Sequence, residues 1–201
     1  RGRGARIPAM STLPPLLVFA GSTRAQSHNR RLAQVAAEIA REAGAPVTHI
    51  ELADFELPIY NADLEARGTP AAALRLKELF HAHPAWVICS PEYNGSYTGL
   101  LKNTIDWVSS PVKADPAWSD GLKPFAGKVV GLLSASPGGL GGLRSLSHLS
   151  PLLLNLQCWL TPKQFALARA GEAFDANGQL DGPARQGVQA VVDQAIWAAQ
   201  R

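Results

Sequence analysis

Short, wholly apolar runs alternate along this chain with stretches whose apolar positions recur every third or fourth residue. Leu16–Ala20 is one such run, the pattern of a strand buried on both faces. Leu32, Val35, Ala36, Ile39, Ala40 and Ala43 then follow at helical spacing, and Gly44-Ala45-Pro46 ends that helix. Residues 47–52 predict a second strand, 54–70 a long loop, and Ala71–Ala82 a second helix. A third strand falls at 86–90 and a loop at 91–97. The third helix spans 98–109, with Leu101, Ile105 and Val108 on one face. Beyond a proline-bearing irregular segment, 111–127, come a fourth strand at Val129–Ala135, a glycine-rich loop at 136–142 and a helix to about Gln157. A fifth strand is expected near 159–168, and Pro183 opens a closing helix with Val188, Val191, Val192, Ala195 and Ile196 inward.

Five strands separated by helices, without internal repeats, predict an α/β fold: a doubly wound parallel sheet with helices on both faces. At 201 residues the chain suits one such domain, expected at 11–201. The flavodoxin-like strand order 2-1-3-4-5 fits this size and count, and it puts a ligand crevice between strands 1 and 3. The loops 21–29, 91–97 and 136–142 then meet at the carboxyl ends of the strands. They are also the loops richest in Gly, Ser, Asn and Pro.

Charge narrows the function little. Three of the 19 basic residues, Arg1, Arg3 and Arg6, precede the lone methionine, Met10; the other 16 balance 16 acidic ones. Met10 is read as the native start and 1–10 as an appended or disordered leader, which removes the compositional case for nucleic-acid binding. Near the first loop, however, no acid occurs before Glu38, while Arg24, Arg30 and Arg31 cluster. That gives a locally positive field. No apolar run is long enough for a membrane helix, and the run 13–20 is too short for a secretory signal. Cys89 and Cys158 sit in apolar runs and read as buried hydrophobes in a cytoplasmic protein.

The chemistry lies in the three loops. Ser22, Thr23, Arg24, Ser27 and Asn29 supply hydroxyls, a guanidinium and an amide at a helix N-terminus, where the backbone dipole also favours an anion. The Walker spacing is absent, and Gly21 is the only glycine, too few for a dinucleotide fingerprint. A terminal monophosphate fits better than helix capping alone, which explains one residue and not the set. In the second loop, Pro91, Glu92, Tyr93, Asn94, Gly95 and Ser96 would let backbone amides meet the edge of a flat ring such as a flavin. Alone, that loop is equally an ordinary turn. In the third, Ser136-Pro137-Gly138-Gly139-Leu140-Gly141-Gly142, four residues without a Cβ permit close ligand approach.

GSTRAQSHNRRLA, SPEYNGSYTGLLKNTIDWVS and SASPGGLGG together resemble the NADPH-dependent FMN reductase family, which is flavodoxin-like and includes flavin, quinone, chromate and azo-dye reductases. The family motif G-S-x-R-x-x-S-x-N-x-x-L falls on Gly21, Ser22, Arg24, Ser27, Asn29 and Leu32, and P-E-Y-N-x-S/G on residues 91–96. The resemblance implies FMN as cofactor and NADPH or NADH as co-substrate. Ser22, Arg24, Ser27 and Asn29, helped by the His28 backbone, would hold the phosphate; Pro91, Glu92, Tyr93, Asn94, Gly95 and Ser96 would lie along the ring, with Ser136, Gly138 and Gly139 opposite. It further implies a small-molecule electron acceptor, no obligatory catalytic side chain, and a homodimer or homotetramer contacting through loop 55–61 and helix 98–107.

Other constellations carry less. His81-x-His83, at a helix end before Pro84, reads as solvated, not metal-binding. No G-x-S-x-G elbow supports a hydrolase. Glu51 and Asp54 read as loop charges, and Trp107 and Trp118 as core or interface packing. Two rival functions remain: a flavodoxin-type electron carrier, disfavoured by the lack of a strongly acidic face, and a regulatory nucleotide-binding module.

Overall fold

Five strands, β1 (Leu16–Ala20), β2 (Val47–Ile50), β3 (Ala85–Cys89), β4 (Val129–Ala135) and β5 (Trp159–Leu167), form one parallel sheet in the order β2-β1-β3-β4-β5. The computed structural model describes residues 13–201, so the leader 1–10 lies outside the described residues. The helices are α1 (His28–Glu42), α2 (Ala62–Glu65), α3 (Ala71–Ala82), α4 (Gly99–Ser109), α5 (Leu143–Asn155), α6 (Ala170–Ala173) and α7 (Gly182–Ala198). Each crossover returns the chain to the same end of the sheet, so the β1, β3 and β4 exits gather as their parallel register requires.

Successive side chains of a strand point to opposite faces, and this sheet is covered on both. From β1, Leu16, Val18 and Ala20 pack with α1 and α7, while Leu17 and Phe19 pack with the α3, α4 and α5 side. β3 divides likewise, Val87 and Cys89 one way and Trp86 and Ile88 the other. Cys89 and Cys158 are both buried, as expected, and burial pushes the Cys158 thiol up to about 12. Trp107 and Trp118 are buried as well.

The departures from expectation are local. The 54–70 loop contains α2, and a 3₁₀ turn over Leu52–Asp54 ends β2 early at Ile50. Ala43 caps α1 and is exposed, not on its inner face. His83 is buried, not solvated. Its Nδ1 lies 2.7 Å from the Leu79 carbonyl and its Nε2 2.7 Å from Thr48 Oγ1, so it ties the end of α3 to β2 with both ring nitrogens taken up. Lys77, within α3, is fully buried and donates to the carbonyls of Val108 and Ser110 at 2.8 and 2.5 Å. It thereby closes the C-terminal end of α4, whose last carbonyls have no partners within the helix. Burial lowers its pKa to about 8, partly opposed by Glu65.

Candidate active site

The first loop leaves β1 under two restraints. Gly21 N–H donates to Cys89 O at 2.9 Å, and Thr98 Oγ1 donates to Gly21 O at 2.8 Å. Thr98 also caps α4 by accepting from Leu101 N–H at 3.2 Å, so one hydroxyl fastens the β1 exit to the start of α4. Beyond Gly21, Ser22 Oγ accepts from Arg24 N–H at 3.3 Å, and Ser27 Oγ caps α1 by accepting from Arg30 N–H at 3.4 Å. Both serines are nearly fully buried, yet neither hydroxyl proton has an acceptor among the described residues. The backbone N–H groups of Ala25, Gln26, His28 and Asn29 likewise lack acceptors there. A cluster of unclaimed donors at the opening turn of a 15-residue helix is a cradle for an anion.

The basic cluster around it is less uniform than its spacing suggests. Arg30 is paired with Glu51 at 2.7 Å, which makes Glu51 an ion-pair partner and not merely a loop charge. Arg31 lies over the Phe174 ring, 4.3 Å from its centroid. Arg24 is exposed, and its guanidinium has no acceptor among the described residues. It is therefore the cation available to a bound phosphate.

Asn29 occupies a different place from the one its motif position implied. Its amide donates to Ala135 O at 2.8 Å and accepts from Ala135 N–H at 3.0 Å, in a buried, two-bond clamp. The last register pair of β3 with β4 is Cys89 with Leu133, so Ala135 has run past its β3 neighbour. Asn29 supplies that missing partner and joins the first loop to the third. What it leaves unclaimed at the first loop is its backbone N–H.

The second loop is a miniature hairpin. Tyr93 and Ser96 exchange backbone hydrogen bonds of 2.8 and 3.1 Å, and Asn94 and Gly95 between them both have positive φ, 51° and 79°. Two left-handed residues define a type I′ turn, for which Asn-Gly is the preferred dipeptide. The hairpin leaves the N–H groups of Asn94, Gly95 and Tyr97 without acceptors among the described residues. Tyr93 is 56% exposed and stands at the mouth. Glu92 instead turns back to α5, where it receives bonds from the backbone and the side chain of Arg144. Those bonds hold its carboxyl below the usual range.

In the third loop, Ser136 Oγ accepts from Gly138 N–H at 3.2 Å, and Gly139 N–H points to no acceptor among the described residues. All three loops thus converge with backbone donors to spare. Hydroxyls, one cation and a helix N-terminus stand on one side, and an open hairpin with a glycine loop on the other. That donor set fits a phosphorylated planar ring with acceptor atoms along its edge.

His28 adds a pH-sensitive element. Its ring is stacked on Phe174 with 6.4 Å between centroids, and its buried Nδ1 has no hydrogen-bond partner. Burial, with the charges of Arg24 and Arg31, lowers its pKa. His49 is lowered in the same direction, chiefly by burial. A histidine that protonates less readily when folded contributes stability above the unfolded value of about 6.5, and that contribution fades as pH falls. Denaturant unfolding should therefore show lower stability at pH 5.5 than at 7.5, and His28→Gln should shrink the difference. An undiminished difference in the variant would remove His28 from that account.

Fold and site together define a flavodoxin-like α/β protein with three donor-rich loops gathered at its topological switch point. The chain belongs to the NADPH-dependent FMN reductase family, whose model matches residues 14–172. It is 37% identical to an NAD(P)H-dependent FMN reductase of Pseudomonas aeruginosa over 177 residues, 87% of this chain and 89% of the relative. It is 35% identical to a quinone reductase of Pseudomonas putida, covering 94% of this chain and 96% of that one. Among solved structures it is similar to the flavoenzyme NAD(P)H:(acceptor) oxidoreductase FerB of Paracoccus denitrificans, with a TM-score of 0.78, 28% identity, and 93% and 97% of the two chains covered. The protein is thus an oxidoreductase of a family that uses FMN with NAD(P)H as electron donor.

Proposed function

We propose that the chain binds FMN across the three loops and passes electrons from NADPH or NADH to a small acceptor: free flavin, a quinone, an azo compound or an oxidised metal oxyanion. The observation that carries this reading is the set of unclaimed donors at 22–29: two buried serine hydroxyls, four backbone N–H groups and the Arg24 guanidinium. Ser22, Arg24, Ser27 and the His28 and Asn29 amides hold the phosphate. The 91–96 hairpin and the loop at Ser136, Gly138 and Gly139 take the ring between them.

Flavin supplies the two-electron chemistry when bound; the protein supplies orientation and polarity. The amides of Asn94, Gly95 and Tyr97 are placed to stabilise negative charge that develops on a ring edge during reduction. Tyr93 offers an apolar wall at the mouth, against which a flat acceptor can lie. No side chain at the site is assigned the part of obligatory acid or base.

A homodimer or homotetramer accompanies this reading. Loop 55–61 is docked onto α4 by Asn103 and Trp107, which donate to Pro58 O at 2.9 and 2.8 Å, and Ile59 on that loop is 82% exposed. Ile59 and the outer face of α4 form the candidate contact with a second copy. The cytoplasm, where NAD(P)H is plentiful, is the proposed compartment; among the described residues no helix is long and apolar enough to cross a membrane.

Stopped-flow mixing of the FMN-loaded protein with NADPH should bleach the flavin absorbance, and a quinone should restore it. Absorbance unchanged by NADPH would favour an electron carrier. Arg24→Ala should weaken FMN binding by about 1.5–3 kcal/mol, the range for a hydrogen bond to a charged group. Titration by flavin fluorescence reads this directly, and unaltered affinity would dismiss Arg24 from the phosphate site.

A further inference from the structure

The hairpin that faces the ring is fastened, through its own Glu92, by Arg144 and its neighbour on α5, which lie outside all three motifs. Glu92, at its base, crosses to the first turn of α5, 52 residues away in sequence. Arg144 N–H donates to Glu92 Oε2 at 3.2 Å and Arg144 Nε to Oε1 at 2.7 Å, and a terminal guanidinium nitrogen also contacts Oε1. The next residue, Ser145, lies with its Oγ 2.7 Å from Ser90 Oγ, at the exit of β3. The N-cap of α5 is Gly142, which has no side chain to satisfy the opening N–H groups. The Glu92 carboxylate does so in its place, and an acceptor there is further favoured by the helix dipole. On the other side, Arg144 Nε is the atom nearest the position of a Cβ on Gly95, at 3.9 Å, so the guanidinium lies against the Asn94–Gly95 turn.

We propose that Arg144 is a positioning residue of the flavin site, holding Glu92 so that the 93–96 hairpin presents its amides to the ring at a fixed height above the third loop. Resting on the FMN reading, this adds a residue that acts through Glu92 and not by touching the cofactor. The hairpin's two internal hydrogen bonds keep its shape but do not orient it on the sheet. Orientation comes from α5, through a carboxylate whose side chain is only 9% exposed. A three-donor contact from backbone and guanidinium fixes direction as well as distance, which a single ammonium cannot do.

The test compares wild type, Arg144→Ala, Arg144→Lys and Glu92→Gln as apoproteins titrated with FMN and with riboflavin. The midpoint potential of the bound flavin and the thermal melt of each apoprotein complete the set. Arg144→Ala should weaken both FMN and riboflavin by about tenfold, as expected for one lost charge-assisted contact. The ratio of the two affinities should be preserved, because the phosphate loop is untouched. The potential should become more negative, since the hairpin amides stabilise the reduced ring less when loosely held. Glu92→Gln should repeat the pattern, and Arg144→Lys should fall between wild type and Arg144→Ala.

Melting temperatures that drop while riboflavin affinity and potential stay at wild-type values would overturn the proposal and leave Arg144 a purely structural residue. A loss confined to FMN would also overturn it, placing the guanidinium on the phosphate. Failure of the wild-type protein to bind either flavin would instead reject the FMN reading beneath it.

Discussion

Asn29→Ala should cost the folded state about 3 kcal/mol, and the protein should lose FMN at the same time. The alanine removes both bonds to Ala135, leaving a backbone N–H and a carbonyl unpaired where Ala135 is only 4% exposed. Each such buried group costs roughly 1–3 kcal/mol. The effect reaches the cofactor indirectly. The Asn29 amide spans 106 residues of sequence to keep the N-terminus of α1 beside the exit of β4, so its loss lets the first loop, the proposed phosphate site, drift from the glycine loop. Urea unfolding of the apoprotein and flavin titration should both register the change. Asn29→Asp should recover only the bond accepted from Ala135 N–H. A variant of wild-type stability would contradict the clamp.

Gly142→Ala should be comparably damaging, at about 3 kcal/mol. Gly142 sits at φ 90°, a left-handed conformation, and a Cβ built there would lie 1.9 Å from Ser134 Oγ. Overpacking costs about 1–3 kcal/mol and a left-handed alanine roughly 1 more. The third loop would have to move, and the start of α5, where Glu92 anchors the hairpin, would move with it. Ser134 Oγ is buried without a hydrogen-bond partner, so Ser134→Ala should be tolerated alone and should restore part of the stability lost in Gly142→Ala. Additive losses in the double variant, measured by denaturant unfolding, would show that the serine is not the obstruction.

The sheet order was legible because β1 and β3 are buried on both faces and so read as unbroken apolar runs between helical periods. The donor cluster at 22–29 was legible for a related reason: the hydroxyls and the guanidinium lie within one short segment, and a local cluster shows in a linear sequence. Contacts made across the chain did not show. Nothing around Asn29 says that its amide will meet Ala135, and the Glu92–Arg144 fork joins segments that only the β3–β4 crossover brings together. His83 misled because its position beside a helix end and a proline resembled a solvated corner. It faces Thr48 of β2 instead. The Asn94-Gly95 hairpin is different, since the dipeptide is a strong local signal for a type I′ turn and was available in the sequence. Thr98, at the N-cap of α4, likewise stood at a recognisable position, but its bond to Gly21 O required the fold.

Everything proposed for the site rests on an anionic tail being gripped where β1 gives way to α1. Titrating the apoprotein in parallel with FMN and with riboflavin, which differ only by the phosphate, tests that grip most directly. Several charge-assisted bonds predict that FMN binds at least about a hundredfold more tightly. Equal affinity for the two flavins would mean that the donors at 22–29 serve something other than a phosphate.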